Sequence, residues 1–287
     1  MWLLPSCRRV SQKLFTCRLG VRALKPERAR ARKSLTTALV FTGAMGYLTM
    51  RGEFMGFSKK VECQGTKIEF ENPNVTILEH SLVPFLLSQI RDPECSTSDY
   101  RRFSDRIMHL LIEEAIAAEP MNVTIKKTLA GGDFECYRLT KTPNDFCAVT
   151  IIRAGDSMLP KMFELMPGIK VGKVLVQRDE STEDKRSVFY YSKLPKEIAK
   201  KKVFILDPML ATGGSCSLVI NRLKEEGVKE ENITFINLIS CPEGLSCLTS
   251  AFPDIKIITA VVDPNMNEER YIEPGLGDYG DRYFNSD

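Results

Sequence analysis

Residues 203–217, VFILDPMLATGGSCS, constrain the fold more than any other part of this 287-residue chain. Four consecutive apolar residues, 203–206, read as a strand buried on both faces, which points to a parallel sheet rather than a half-solvated antiparallel one. Asp207 stands at its carboxyl end. A loop of small residues (Ala211, Thr212, Gly213, Gly214, Ser215) then opens a helix expected over 215–226 and ending at Gly227. In open α/β sheets, ligands bind at this carboxyl edge. Glycines let backbone N–H groups turn towards a ligand, and a helix start adds aligned donors and the positive end of a dipole. With the Thr212 and Ser215 hydroxyls, these parts suit a phosphate monoester, and Asp207 is placed to accept hydrogen bonds from ribose hydroxyls. An ordinary strand–helix turn is the plain alternative. No lysine follows the glycines, so the segment is not a Walker loop.

The same grammar recurs along the chain. Strands are expected over 148–152, 173–177, 188–191, 233–240 and 255–262, with helices over 157–165 and 243–251. A longer amphipathic helix is expected over 103–119, with Ile107, Met108, Leu111, Ala115 and Ile116 on one face, Ser104 or Asp105 as its cap and Pro120 as its stop. Strands alternating with helices argue for an α/β fold with a mostly parallel sheet.

Charge and composition divide the chain. Ten of its 40 basic residues (Arg8, Arg9, Lys13, Arg18, Arg22, Lys25, Arg28, Arg30, Arg32, Lys33) and one of its 37 acids, Glu27, fall in 1–33. The overall charge of +3 therefore becomes −6 for 34–287, which argues against a nucleic-acid partner. The Arg-rich, acid-poor leader 1–33 has the composition of an organelle-import sequence, or of a plain basic extension. Residues 34–50 carry no charge, yet 17 residues diluted by Ser and Thr make only a marginal membrane span. Membrane contact is expected only there. A cytoplasmic location is expected if the leader is absent, and otherwise a mitochondrial or membrane-anchored one. Residues 51–74 read as a linker and 75–287 as the globular domain. The nine cysteines include no C-x-x-C pair, and the expectation is free thiols.

Three further features stand out, two of them where strands end. Arg153 follows the apolar run 148–152, and Arg178 follows 173–177. An arginine there can grip a diphosphate in a bidentate way, although a surface salt bridge suits Arg178 equally. Near the C-terminus, residues 275–280 read GLGDYG, a match to the dinucleotide fingerprint G-x-G-x-x-G. That fingerprint needs a helix afterwards and an acid about 20 residues on. With seven residues left after Gly280, neither is expected. The segment reads instead as a rigid loop whose peptide groups can face the edge of a planar base, or as a turn that caps the sheet.

IIRAGDSM at 151–158, KVLVQRDE at 173–180, FILDPMLATGGS at 204–215 and YIEPGLGDYGDRYF at 271–284 together resemble the uracil phosphoribosyltransferase family, from about Val75 to Phe284. RAGDSM and QRDE bring the resemblance closer to its eukaryotic branch. It implies a type I phosphoribosyltransferase fold: a mostly parallel twisted sheet flanked by helices, with a small C-terminal hood and a β-arm over 178–193 by the site or dimer interface. The implied reaction joins uracil and phosphoribosyl diphosphate (PRPP) to give UMP and diphosphate. On the resemblance, Asp207, Pro208, Met209, Leu210, Ala211, Thr212, Gly213, Gly214 and Ser215 bind the ribose 5-phosphate, while Arg153 and Arg178 bind the diphosphate. Ile272, Gly277, Asp278 and Tyr279 hold uracil, largely through main-chain groups, and Asp278 also meets PRPP. Arg178, Asp207 and Asp278 are the residues expected to serve catalysis. Magnesium is expected to ride on PRPP without a protein cage. A homodimer or homotetramer is implied, and GTP, an activator of some relatives, is a candidate activator. Glu273 replaces a usual apolar residue, Asn285 a usual glycine, and Cys216 follows Ser215. The competing reading is a catalytically weak homologue that senses PRPP or a nucleotide. The intact loop at 207–215 argues against it.

Overall fold

Apolar runs too short and continuous for amphipathic helices become the strands of a central sheet. The structure is a computed structural model that describes residues 70–178 and 187–286. The leader, the 34–50 segment and residues 51–69 of the linker lie outside the described residues. In chain order the elements are β1 (Val75–Ile77), α1 (Val83–Arg91), α2 (Thr97–Ala117), β2 (Met121–Lys127), β3 (Asp133–Leu139), β4 (Phe146–Ile152), α3 (Leu159–Leu165), β5 (Lys170–Arg178) and β6 (Ser187–Lys193). They continue with β7 (Lys202–Leu206), β8 (Met209–Leu210), α4 (Gly214–Glu225), β9 (Ile233–Ser240), α5 (Pro242–Ala251), β10 (Lys256–Val262), β11 (Asn265–Met266), β12 (Ile272–Glu273) and α6 (Tyr279–Phe284).

Among the described residues the main sheet has eight strands, ordered β1-β10-β9-β7-β4-β5-β6, with β8 paired to β9. All pairings are parallel except that of β5 with β6. Both faces are covered, as a parallel sheet requires. Side chains from α1, α2, α3 and α6 pack on one face around Ile107, Met108, Leu111, Phe146, Phe204 and Ile236. Side chains from α4 and α5 pack on the other around Val219, Ile220, Leu223, Leu245, Val203 and Ile205. From β4 the chain moves outward to β5 and β6, whereas from β7 it moves the opposite way to β9 and β10. The carboxyl ends of β4 and β7 therefore flank a topological switch point, where open α/β sheets bind ligands.

The strand expectations hold to within a few residues, and 233–240 coincides with β9. The long helix begins earlier than expected. Residues 97–102 belong to α2, and its cap is Ser96, whose Oγ accepts the Asp99 N–H at 3.2 Å. Ser104 and Asp105 cap nothing. Tyr100 and Phe103 extend the buried stripe one turn towards the N-terminus, Ser104 is buried mid-helix, and Asp105 accepts from the Tyr283 hydroxyl at 2.8 Å. The helix α6, which begins inside GLGDYG at Tyr279, corrects the expectation of none. It is six residues long, and the Asp278 carboxylate caps it by accepting the Asp281 N–H at 2.9 Å. The β2–β3 hairpin, which pairs Met121 with Leu139 through Lys127 with Asp133, has no counterpart in the sequence reading. Every residue of β2 is exposed, so no buried run announces it.

Candidate functional site

The loop after β7 is stitched to β9 at its base. The Asp207 N–H donates to the Ile236 carbonyl at 3.3 Å, and the Pro208 carbonyl accepts from Leu238 and Ile239 N–H groups at 2.9 and 3.0 Å. Residues 209–210, expected as loop, form the short strand β8. The Cys241 N–H then donates to the Leu210 carbonyl at 3.1 Å, and its thiol donates to the Ala211 carbonyl at 3.1 Å. Gly213 takes the left-handed conformation (φ 82°) that a side chain would strain, and it launches α4. The first turn of α4 leaves N–H groups without intrahelical partners, facing the open end of the loop. Thr212 Oγ1 accepts the Gly214 N–H at 3.4 Å, and Ser215 Oγ lies 3.1 Å from Ser187 Oγ at the start of β6. Asp207 is half-buried, with its Oδ1 accepting the Met209 N–H at 3.4 Å. Burial and the nearby Asp207 charge hold the Cys216 thiol well above its ordinary range, so it is no nucleophile at neutral pH.

Opposite stands the C-terminal loop, 271–280, fixed by Arg91, distant in sequence, and by Arg282, two residues past its end, which ties it to Ile90. Arg91, at the end of α1, makes a bidentate pair with buried Asp263 at 2.6 and 2.8 Å and donates to the Gly275 carbonyl at 2.9 Å. Asp263 in turn accepts the Gly275 N–H at 2.9 Å. Gly275 has φ 54°, and a Cβ there would lie 2.1 Å from the Ile272 carbonyl oxygen, so only glycine makes this turn. Arg282 donates to the Leu276 carbonyl at 2.8 Å and the Ile90 carbonyl at 2.6 Å, with its guanidinium carbon 4.4 Å from the Tyr100 ring centre. The result is a braced turn in which Gly277 and Asp278 are exposed while Leu276 and Tyr279 are buried.

The two loops enclose a cavity of about 690 Å³, within the range of small-molecule sites. Its walls include Asp207, Met209, Leu210, Ala211, Thr212, Gly213, Gly214 and Ser215 on one side, Ile272, Gly277, Asp278 and Tyr279 on the other, and Arg153 between them. Pro208 is buried and absent from the walls, its carbonyl being spent on β9. Leu210 and Tyr279 point their side chains into the core, so they can offer a ligand backbone groups only. The Tyr279 ring stacks on Tyr283 with centroids 5.7 Å apart, and burial raises its hydroxyl pKa far above the usual range. The Arg153 guanidinium is exposed, paired with Asp281 and donating to Ser286 Oγ at 2.6 Å. That bond from Arg153 holds the Asp281 carboxyl below the usual carboxylate range. Arg178 ends β5, opposite Ser187.

Sequence reasoning missed Gln177, Tyr190, Arg270 and Tyr271 in the walls, and Arg91, Asp263 and Arg282 behind them. Tyr190 lies in β6, the described part of the 178–193 arm beyond β5, which pairs antiparallel with β5 and touches the phosphate-type loop through Ser187; residues 179–186 lie outside the described residues. Its position follows from the register of β6 on β5, which the sequence pattern does not specify.

A family profile described as uracil phosphoribosyltransferase matches residues 77–286. The uracil phosphoribosyltransferase of Dictyostelium discoideum is 42% identical over 216 residues, covering 75% of this chain and 97% of that protein. That of Saccharomyces cerevisiae is 40% identical over 199 residues, covering 69% and 90%. A solved structure of an Aquifex aeolicus protein superposes with a TM-score of 0.64 at 31% identity, covering 74% of this chain and 98% of that one. A profile that spans nearly all of the described α/β unit, with relatives near 40% identity matched over most of their length, establishes that this chain belongs to the uracil phosphoribosyltransferase family.

Proposed function

We propose that this chain transfers the phosphoribosyl group of PRPP to uracil, giving UMP and diphosphate. The observation that carries the reading is a single cavity walled on one side by a glycine-turned helix start beside Asp207 and on the other by a braced turn of exposed backbone. A helix start and two hydroxyls suit a 5-phosphate, and Asp207 suits the ribose hydroxyls. Backbone groups at Gly277 and Asp278 suit the hydrogen-bonding edge of a pyrimidine.

In the reaction the bond from uracil N1 to ribose C1 forms as the C1–oxygen bond to diphosphate breaks, and the N1 proton is released. Positive charge develops on the ribose and negative charge on the leaving group. The two loops hold N1 against C1, and this orientation supplies much of the acceleration. In this reading Arg153 exchanges its Asp281 partner for the diphosphate, and Arg178, the last residue of β5, is assigned to the same group. Their guanidiniums stabilise the leaving group's charge. Asp207 and Asp278 are the only carboxylates among the described lining residues, and no described cluster of three His, Cys, Asp or Glu could hold a metal ion. Such a donor set fits a hydrated magnesium ion carried by PRPP. Magnesium so bound would neutralise charge on the diphosphate.

The homodimer or homotetramer implied by the family has support in the β2–β3 hairpin, where Val123, Ile125 and Tyr137 are more than half exposed and invite a protein partner. Purified protein given uracil, PRPP and magnesium is expected to release UMP and diphosphate in equal amounts, a turnover that Asp207→Asn largely loses. PRPP binding without turnover would favour the sensing homologue instead.

A further inference from the structure

Strand β9 reads ITFINLIS and is buried along its whole length. Asn237, at its centre, is fully buried, and neither its Oδ1 nor its Nδ2 has a hydrogen-bond partner. A carboxamide stripped of water and left unpaired is destabilising compared with a leucine of similar size. Native cores seldom keep such a group unless a water or a ligand-linked group uses it.

Its position in the sheet brings one such group beside it. Leu206 pairs with Ile236, and the Asp207 N–H continues that ladder by donating to the Ile236 carbonyl at 3.3 Å. The next bond runs from the Leu238 N–H to the Pro208 carbonyl at 2.9 Å. Asn237 therefore lies beside Asp207, one strand spacing away, about 4.8 Å. Leu206 and Ile236 face the α2 side of the sheet. Their successors, Asp207 and Asn237, face the α4 side, because side chains alternate along strands. The Asp207 charge reaches Cys216, buried on α4, which agrees with this direction. On its other flank Asn237 is in register with Thr259, whose hydroxyl already donates to the Val261 carbonyl at 3.1 Å.

We infer that Asn237 is a positioning residue for Asp207, its Nδ2 donating to the Asp207 carboxylate directly or through one ordered water while that carboxylate holds the ribose hydroxyls of PRPP. A carboxylate accepts about four hydrogen bonds. One taken from beneath fixes its rotamer towards the substrate. The inference rests on the proposed role of Asp207 in binding PRPP.

The test is PRPP affinity by calorimetry and steady-state kinetics on the full chain. Asn237→Ser and Asn237→Ala leave nearly the same space, but only serine keeps a hydrogen-bonding group. Asn237→Ala is expected to weaken PRPP binding about tenfold or more, while Asn237→Ser stays within about threefold of wild type and the uracil KM is unchanged in both. Asn237→Leu is expected to weaken PRPP binding similarly with a Tm at or above wild type. Equal losses for Ser and Ala, or a fall in both substrates' affinity together with Tm, would overturn the inference and make Asn237 a plain core residue. Wild-type protein that binds no PRPP would overturn the proposed function, and this inference with it.

Discussion

The loop after β7 and the loop before α6 face the same cavity but are held in opposite ways. The first is built from contiguous chain. Strand, Asp207, glycine turn and helix follow one another over 203–217, and the supporting bonds come from β9, the next strand in the sheet. The second has little regular structure of its own beyond the two-residue strand β12 and the short α6. Its shape comes from Arg91, 172 residues from Asp263 and 184 from Gly275, and from Arg282, 192 residues from Ile90. A phosphate is recognised by a motif that any βα unit can supply. The turn proposed to read a base edge is backbone held by Arg91, distant in sequence, and by Arg282, which ties it to α1. Damage to the first loop should therefore act on PRPP alone with little cost in stability. Damage to the second should act on uracil and on stability together.

The largest effect is expected from Arg91→Ala. It leaves Asp263 buried without its guanidinium, at a cost of about 3–5 kcal/mol, on the order of 10 °C in Tm. A thermal melt should show that drop, and kinetics should show a raised uracil KM with PRPP affinity near wild type. Asp207→Asn comes next. Losing a charged acceptor for ribose hydroxyls should weaken PRPP binding about tenfold or more, with Tm within about 2 °C of wild type by calorimetry. Gly213→Ala forces an alanine to φ 82° at a cost of about 1–2 kcal/mol. It should raise the PRPP KM several-fold and leave that for uracil unchanged.

The smallest effect concerns Arg153 and Asp281. Both side chains are more than one-third exposed, so their pair is worth under about 1 kcal/mol. The bond from Arg153 lowers the Asp281 carboxyl, so its contribution is present above the ordinary aspartate range and is lost as pH falls through the lower folded value. Asp281→Asn should therefore be slightly less stable than wild type at neutral pH, by under about 1 kcal/mol, with the difference closing below about pH 4. Denaturant titrations at pH 3 and 7 would show this.

The same contrast explains what could be read in the sequence. The α/β alternation and the 203–217 loop were legible because each rests on neighbouring residues. The residues of the C-terminal loop were legible as a motif, yet its braces were not. Nothing local marks Arg91 as the partner of Asp263, and Asp263 reads as an ordinary strand end. The α2 start was misplaced because Ser104 and Asp105 are as good caps as Ser96 by residue type, and only packing of Tyr100 and Phe103 decides between them. The exposed β2–β3 hairpin shows no buried periodicity at all.

The division of labour between the loops is tested most directly by initial rates of UMP formation, varying uracil and PRPP, for wild type and Arg282→Ala. Arg282 touches, at Leu276, the turn proposed to hold uracil and lies outside the cavity's walls. A wild-type turnover, with a uracil KM raised about tenfold in the variant and a PRPP KM within about twofold, is the expected result. A variant in which both constants rise together, or only that for PRPP, would contradict it.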